Sequence, residues 1–255
     1  MSSATQWWVY VGTKADGRTG GRSLPVLSFD SADGSLALVH TDAGHLPAPS
    51  WLALAPGADF LYAACRAEDI SAAKPTGIGS LDPDDHFVAA FAVDRTTGAL
   101  RGPISQQHTV NMGPTHLATN GQLVVTAQYG GGGVTAFRIE AEGVLSPATH
   151  VIEHTYGSNV RTDLDDRDAR GPQPRQSAAA CHSANFDPRG QRVLIPDLGA
   201  DRVYVYDVDD ASGRLAPATV PYYTAAPGGG PRHFAWHPNG HWCYLITEMG
   251  ATIDA

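Results

Sequence analysis

The chain has 255 residues, a formal net charge of −9, 42% hydrophobic residues, 28 glycines and 18 prolines. No apolar run approaches the ~20 residues that cross a bilayer, and the acidic balance argues against nucleic acid or an anionic membrane surface as a partner. The three cysteines, Cys65, Cys181 and Cys243, are too few and too scattered for a disulfide framework; with no basic-then-apolar leader at the start, they predict a reducing, cytoplasmic setting.

No window keeps a 3.6-residue apolar period, whereas short β-rich runs recur between turn signals. In chain order, strands are expected at 7–13, 50–56, 59–66, 86–94, 122–129, 133–140, 182–188, 192–198, 202–209, 233–238 and 241–248. Turns such as DRTTGAL (94–100), DPRG (187–190), DDASGRL (209–215) and HPNG (237–240) separate them. An all-β fold follows. The run from Cys181 to Pro188 overlays the run from Pro231 to Pro238 at a constant offset of 50 residues, without a gap. The stretches Pro49–Pro56 and Gly113–Leu117 fit the same template. A repeat of about 40–50 residues with four strands is the signature of a β-propeller blade. One blade is expected at 6–45, fuller ones at 49–108, 113–153 and 181–224, and a half blade from 230 onward. The expectation is therefore a single propeller domain over 1–255 that breaks off within its last blade.

The repeat also makes a map. In an antiparallel blade the first residue of the innermost strand and the last residue of the second strand meet at one mouth of the central channel. The strand-one starts are Ser50, Thr115, His182 and Arg232; the strand-two ends are Arg66, Gln128, Asp197 or Leu198, and Glu248. His, Arg and Glu are poor occupants of a strand interior unless something uses them. A polar site is therefore predicted from His182, Arg232 and Glu248, with Arg66 and Gln128 on its rim. The long insertions at 67–85 and 154–180 should open on the same mouth, where working loops gather.

Other motifs carry less. The run Gly130–Gly133 could form an anion nest, but no Gly-Lys-Ser/Thr follows it. The acidic run Asp163–Asp168 fails the calcium-loop pattern at its fifth and twelfth positions. The eleven histidines show no metal-ligand spacing, so neither a metal nor a cofactor is expected. Cys181 and His182, as neighbours on a strand, should point to opposite faces and form no nucleophilic pair.

Taken together, YVGT (10–13), GPTHL (113–117), QYGGGGVTAF (128–137), CHSANFDP (181–188), DLGADRVYVY (197–206) and GPRHFAWHPNG (230–240) followed by YLITE (244–248) resemble the lactonase propeller family. That resemblance implies a seven-bladed propeller, of which this chain holds about five blades. It further implies a hydrolase that opens a small anionic sugar lactone, 6-phospho-D-glucono-1,5-lactone, in the pentose phosphate pathway. His182, Arg232 and Glu248 then stand at active-site positions: His182 as general base, Glu248 orienting it or serving as the acid–base group, Arg232 polarising the carbonyl or holding the phosphate. Arg66, Gln128, His233 and Asp197 are the implied substrate-binding residues. Ala180 stands where many relatives carry a second histidine. Two other readings stay open, a carboxy-cis,cis-muconate cycloisomerase and a propeller that binds partners without catalysis.

Overall fold

A computed structural model describes residues 6–13, 24–40, 46, 49–66, 86–163, 165–166 and 171–255. The insertion at 67–85 lies outside the described residues. The first sheet holds β1 (Gln6–Tyr10), β2 (Val26–Asp30) and β3 (Leu36–His40). The second is β4 (Pro49–Leu54), β5 (Phe60–Arg66), β6 (His86–Val93) and β7 (Leu100–His108), and the third is β8 (Pro114–Thr119), β9 (Leu123–Gln128), β10 (Gly133–Ile139) and β11 (Leu145–Glu153). A two-stranded ribbon, β12 (Asp165–Asp166) with β13 (Gly171–Pro174), lies in the loop that follows. The fourth sheet is β14 (Asn185–Phe186), β15 (Arg192–Asp197), β16 (Arg202–Asp209) and β17 (Arg214–Thr224); the fifth is β18 (Pro231–Trp236), β19 (Cys243–Thr247) and β20 (Ile253–Asp254). Each sheet is an antiparallel meander in chain order, so the expected all-β propeller and its blade boundaries hold.

Local chemistry fixes the meander. The hairpins between the third and fourth strands of the second and fourth sheets share one device. Asp94 and Asp209 each accept, through Oδ1, the backbone N–H two residues on, an Asx turn. Four residues after each Asp, Gly98 and Gly213 adopt positive φ (73° and 71°), which costs glycine nothing. Each glycine N–H donates back to the Asp carbonyl, at 2.7 and 2.8 Å. Asp30 and Gly34 repeat the arrangement between β2 and β3. By that equivalence the first sheet consists of the second, third and fourth strands of a blade.

The core lies between blades. One cluster joins the first two sheets through Leu24, Leu46, Leu61 and Phe91. A second joins the next pair through Tyr62, Leu117 and Phe137, and a third joins the third and fourth sheets through Val125, Val134, Ile195 and Tyr206. Apolar faces packed sheet on sheet are the main favourable term in such a fold. They leave the inner strand ends free to carry polar groups.

Register at those inner ends decides which side chains reach the channel. Between β4 and β5 the pairing slips by one residue between Pro49 and Trp51, which leaves Ser50 bulged. The slip recurs between Pro114 and His116 at Thr115, and between Pro231 and His233 at Arg232. In the fourth sheet the bridge Cys181↔Asp197 and the pair Asn185↔Leu194 differ by one residue, so the same slip falls in the stretch between Cys181 and Asn185 that begins with His182. A bulge re-aims the extra side chain out of the ladder. Hence Ser50, Thr115 and Arg232, three of the strand-one positions read as equivalent, share a special geometry, and His182 opens the stretch that holds the fourth slip.

Candidate active site

Glu248 is the hub. It follows the last residue of β19, and its N–H donates to Gly230 O at 2.8 Å. The Arg232 Nε donates to its Oε2 at 2.7 Å, and Arg175 Nη1 meets its Oε1 at 2.7 Å. His182 Nε2 lies 3.5 Å from Oε2. His182 in turn packs edge-on against Tyr129, with ring centroids 5.5 Å apart, and Tyr129 Oη accepts from Arg175 Nη2 at 2.9 Å. The predicted trio is thus brought together, with Arg175 and Tyr129 beside it.

The His182 contact, followed by hydrogen bonds from Arg232 and the charge of Arg175, holds the Glu248 carboxyl far below the usual carboxylate range despite partial burial. Glu248 is therefore ionised at neutral pH. It fits the role of orienting His182 and spacing the two guanidiniums, and does not fit that of a proton donor. With the Nε2 edge of His182 turned to this carboxylate, the basic lone pair falls on Nδ1, which is buried and has no hydrogen-bond partner among the described residues.

One residue further along the inner strands, aromatic rings close across the axis. Trp51 of the second blade stacks on His116 of the third at 4.0 Å and meets His233 of the fifth at 5.3 Å. His233 lies 5.1 Å from His182 and 5.6 Å from His116. Burial, and then the neighbouring His233 and His182, push His116 down to about 3. Burial, and then His182 and Arg232, push His233 down to about 4. Both rings are neutral at pH 7. The Ala184 N–H donates to His116 Nδ1 at 3.3 Å, which places the ring proton on Nε2.

These two rings make an acid-stability prediction. Unfolded imidazoles take up a proton near 6.5, whereas the folded ones wait until about 3 and about 4. The unfolded state therefore binds more protons across that window, and stability falls as pH drops below 6.5. The slope is at most about 1.4 kcal/mol per pH unit for buried His116, and less for half-exposed His233. Urea unfolding midpoints at about pH 7.5 and about pH 5 check this: they should fall with pH, and His116→Asn should flatten the fall. A midpoint independent of pH over that range overturns it.

Two predicted positions are placed differently. Pro231 pairs with Thr247, Pro114 with Gln128 and Pro49 with Cys65, while Cys181 bridges Asp197. The register equivalents of Glu248 are therefore Arg66, Tyr129 and Leu198, and Gln128 and Asp197 sit one residue too early. A slip of one residue turns a strand side chain to the other face. Gln128 is fully buried with its amide on Thr126 and Thr135, two side chains of its own sheet face. Asp197 is fully buried too, and its Oδ1 accepts the N–H groups of Ala180 and Ala200. Neither reaches the mouth cluster. Arg66 ends β5 at the equivalent position, partly buried, opposite His86.

Sequence reasoning missed Arg175, Tyr129 and His116. The insertion that carries Arg175 was expected at this mouth, but no repeat partner marks the residue. Gln176, next to it, anchors the segment: its Nε2 donates to Leu198 O and to Asp201 Oδ1, at 2.9 and 2.7 Å. Asp201 also accepts the N–H groups of Gly228 and Gly230, at 2.8 and 2.9 Å. Gly230 has φ +67°, and a Cβ there would lie 2.6 Å from Met249 Cε. One buried carboxylate thus sets both the Arg175 segment and the approach to Arg232.

The fold agrees with what known proteins show. The family described as "Lactonase, 7-bladed beta-propeller" matches residues 8–255. The chain belongs to that lactonase family. The 6-phosphogluconolactonase of Bacillus subtilis (strain 168) is 29% identical over 254 residues, covering 98% of this chain and 62% of the relative. A solved Bacteroides fragilis structure superposes with a TM-score of 0.82 at 26% identity, covering 99% of this chain and 64% of that one. The periplasmic gluconolactonase of Pseudomonas aeruginosa superposes with a TM-score of 0.77 at 28% identity, covering 95% and 62%. The chain therefore spans about three-fifths of these relatives' lengths. Among the described residues no helix is long and apolar enough to cross a membrane.

Proposed function

We propose that the protein hydrolyses a sugar lactone, 6-phospho-D-glucono-1,5-lactone, at the channel mouth marked by Glu248. The observation that carries this reading is one ionised carboxylate shared by His182, Arg232 and Arg175. Two guanidiniums against one carboxylate leave a local positive excess in a chain that is acidic overall. That suits a substrate with one phosphate on a neutral sugar, and the phosphorylated lactone is what the name of the Bacillus subtilis relative specifies.

In the proposed reaction a water oxygen attacks the lactone carbonyl carbon while His182 takes its proton. Glu248 orients the ring and stabilises its charged form. An arginine donates to the carbonyl oxygen as negative charge develops there. The C–O bond of the ring then breaks, and His182 returns the proton to the departing alkoxide. The other arginine holds the phosphate, for which a planar guanidinium is well shaped. The neutral rings of Trp51, His116 and His233 form an apolar floor against which the sugar can lie. The proposal places this reaction in the cytoplasm, in the pentose phosphate pathway.

The test compares 6-phosphoglucono-1,5-lactone, glucono-1,5-lactone and a carboxymuconate, with spontaneous lactone opening subtracted. The phospholactone should be opened fastest. Arg232→Lys keeps the charge but loses the fork, and should lower kcat/KM for the phospholactone by about tenfold or more, the loss of a charged hydrogen bond. Equal rates on the two lactones remove the phosphate from the reading. Faster turnover of the carboxymuconate replaces it with a cycloisomerase.

A further inference from the structure

Apart from the mouth, one buried cluster of chemically active side chains is not used by the proposed mechanism. His154 directly follows β11, Cys181 opens the inner run of the fourth blade, and Asp197 ends β15. The His154 Nδ1 lies 3.2 Å from Cys181 Sγ and 3.3 Å from Asp197 Oδ2, and Sγ to Oδ2 is 3.7 Å. Cys181 and Asp197 are fully buried and the His154 side chain is 5% exposed.

We propose that His154 Nδ1, Cys181 Sγ and Asp197 Oδ2 form a binding site for a thiophilic divalent cation of the zinc type, which staples the third blade to the fourth. Metal–ligand lengths of about 2.3 Å to sulfur and about 2.0–2.2 Å to nitrogen and oxygen set tetrahedral edges of roughly 3.3–3.6 Å. The three observed separations lie close to those edges, so the atoms outline one face of a tetrahedron around a common point. The donors are a thiolate, an imidazole and a carboxylate, the set that zinc takes in proteins.

The surroundings are those of a metal site as well. A ligating histidine usually gives its other N–H to an acceptor that fixes the ring; here His154 Nε2 lies 2.6 Å from Tyr206 Oη, and the Tyr204 ring packs on it at 3.9 Å. The second oxygen of Asp197 is held by two backbone N–H groups. Charge points the same way. A dication with the Cys181 thiolate, neutral His154 and the Asp197 carboxylate sums to zero in a pocket closed to water, where an uncompensated charge is costly. Binding therefore forms the metal–sulfur bond and releases the thiol proton to solvent. The ligands are 27 and 16 residues apart in the chain, which is why spacing alone hid them.

The experiment treats the reduced protein with a chelator, then titrates it with cobalt(II) and zinc(II). Cobalt should give an equimolar endpoint with a thiolate-to-metal charge-transfer band. Zinc at about a hundredfold excess over its Kd should raise the thermal midpoint by about 5–10 °C. Cys181→Ser and Asp197→Asn should lose the band and the shift. X-ray absorption on the zinc-loaded wild type should show one sulfur at about 2.3 Å, and this reading stands even if a variant does not fold. No band and no shift, a first shell of nitrogen and oxygen only, or a band that survives in Cys181→Ser each overturns the site. None of these readouts uses lactone turnover, so the proposal fails or stands apart from the enzymatic one.

Discussion

Replacing His182 with alanine is expected to lower kcat for phospholactone hydrolysis by about 10²–10⁴-fold, the range of a positioned acid–base group. His182 is only 6% exposed, yet it lies at an inner strand start outside the three interblade clusters, so the sheets should form without it. Unchanged far-ultraviolet dichroism and a cooperative melt establish that the variant is folded before rates are compared. Glu248→Gln separates orientation from proton transfer. It keeps the shape but removes the charge that Arg175 and Arg232 share, so it should raise KM as well as lower kcat. The His182 change should act mainly on kcat. Near-normal turnover by a folded His182→Ala protein removes the residue from the mechanism.

The second large effect is expected at Asp201. It is 3% exposed and has φ +52°, a conformation that Asn tolerates as well as Asp. Asp201→Asn therefore leaves the backbone unstrained and tests the carboxylate alone. Its two oxygens face donors only, Gln176 Nε2 and Gly230 N–H on one, Gly228 N–H on the other. An amide must turn its NH₂ toward one of these sets, which leaves buried donors unpaired. The expected loss is roughly 2–3 kcal/mol, read as a fall of about 5–10 °C in the thermal midpoint. Activity measured well below that midpoint should fall too, by up to about 10²-fold, because the Arg175 segment and the strand leading to Arg232 both hang from this group. A variant that loses stability but keeps full activity shows that Asp201 does not position the arginines.

How far the sequence went depended on what repeats. Inner strands and their hairpins recur blade after blade, so the offset between Cys181–Pro188 and Pro231–Pro238 was enough to align His182 with Arg232. The one-residue slip at the start of each inner run is part of that template. Second-strand ends carry no such template. Polarity alone, without the pairing, aligns Gln128 with Glu248 and leaves Asp197 and Leu198 as alternatives; the register makes Gln128 and Asp197 equivalents of Thr247, and Leu198 the equivalent of Glu248. Tyr129, one residue on, belongs to the cluster. Arg175 was illegible for a different reason: its place is set by Gln176 gripping Leu198 and Asp201, contacts between segments that no local pattern announces.

The bulges at Ser50, Thr115 and Arg232, and the slip in the stretch that begins with His182, have a consequence for how such a protein changes over time. A residue outside the ladder contributes no cross-strand pair, so exchanging it leaves strand pairing untouched. The scaffold thus offers a row of sockets at equivalent strand starts, in which side chains can be swapped without rebuilding the sheets. Two sockets here hold a histidine and an arginine, and two hold small hydroxyls. Ser50 donates to Pro114 O at 3.1 Å and Thr115 to Gly113 O at 3.0 Å, modest bonds whose loss the blades can absorb. Selectivity in this architecture can therefore drift one socket at a time, with the hydroxyl pair as the vacant slots where new charge can enter.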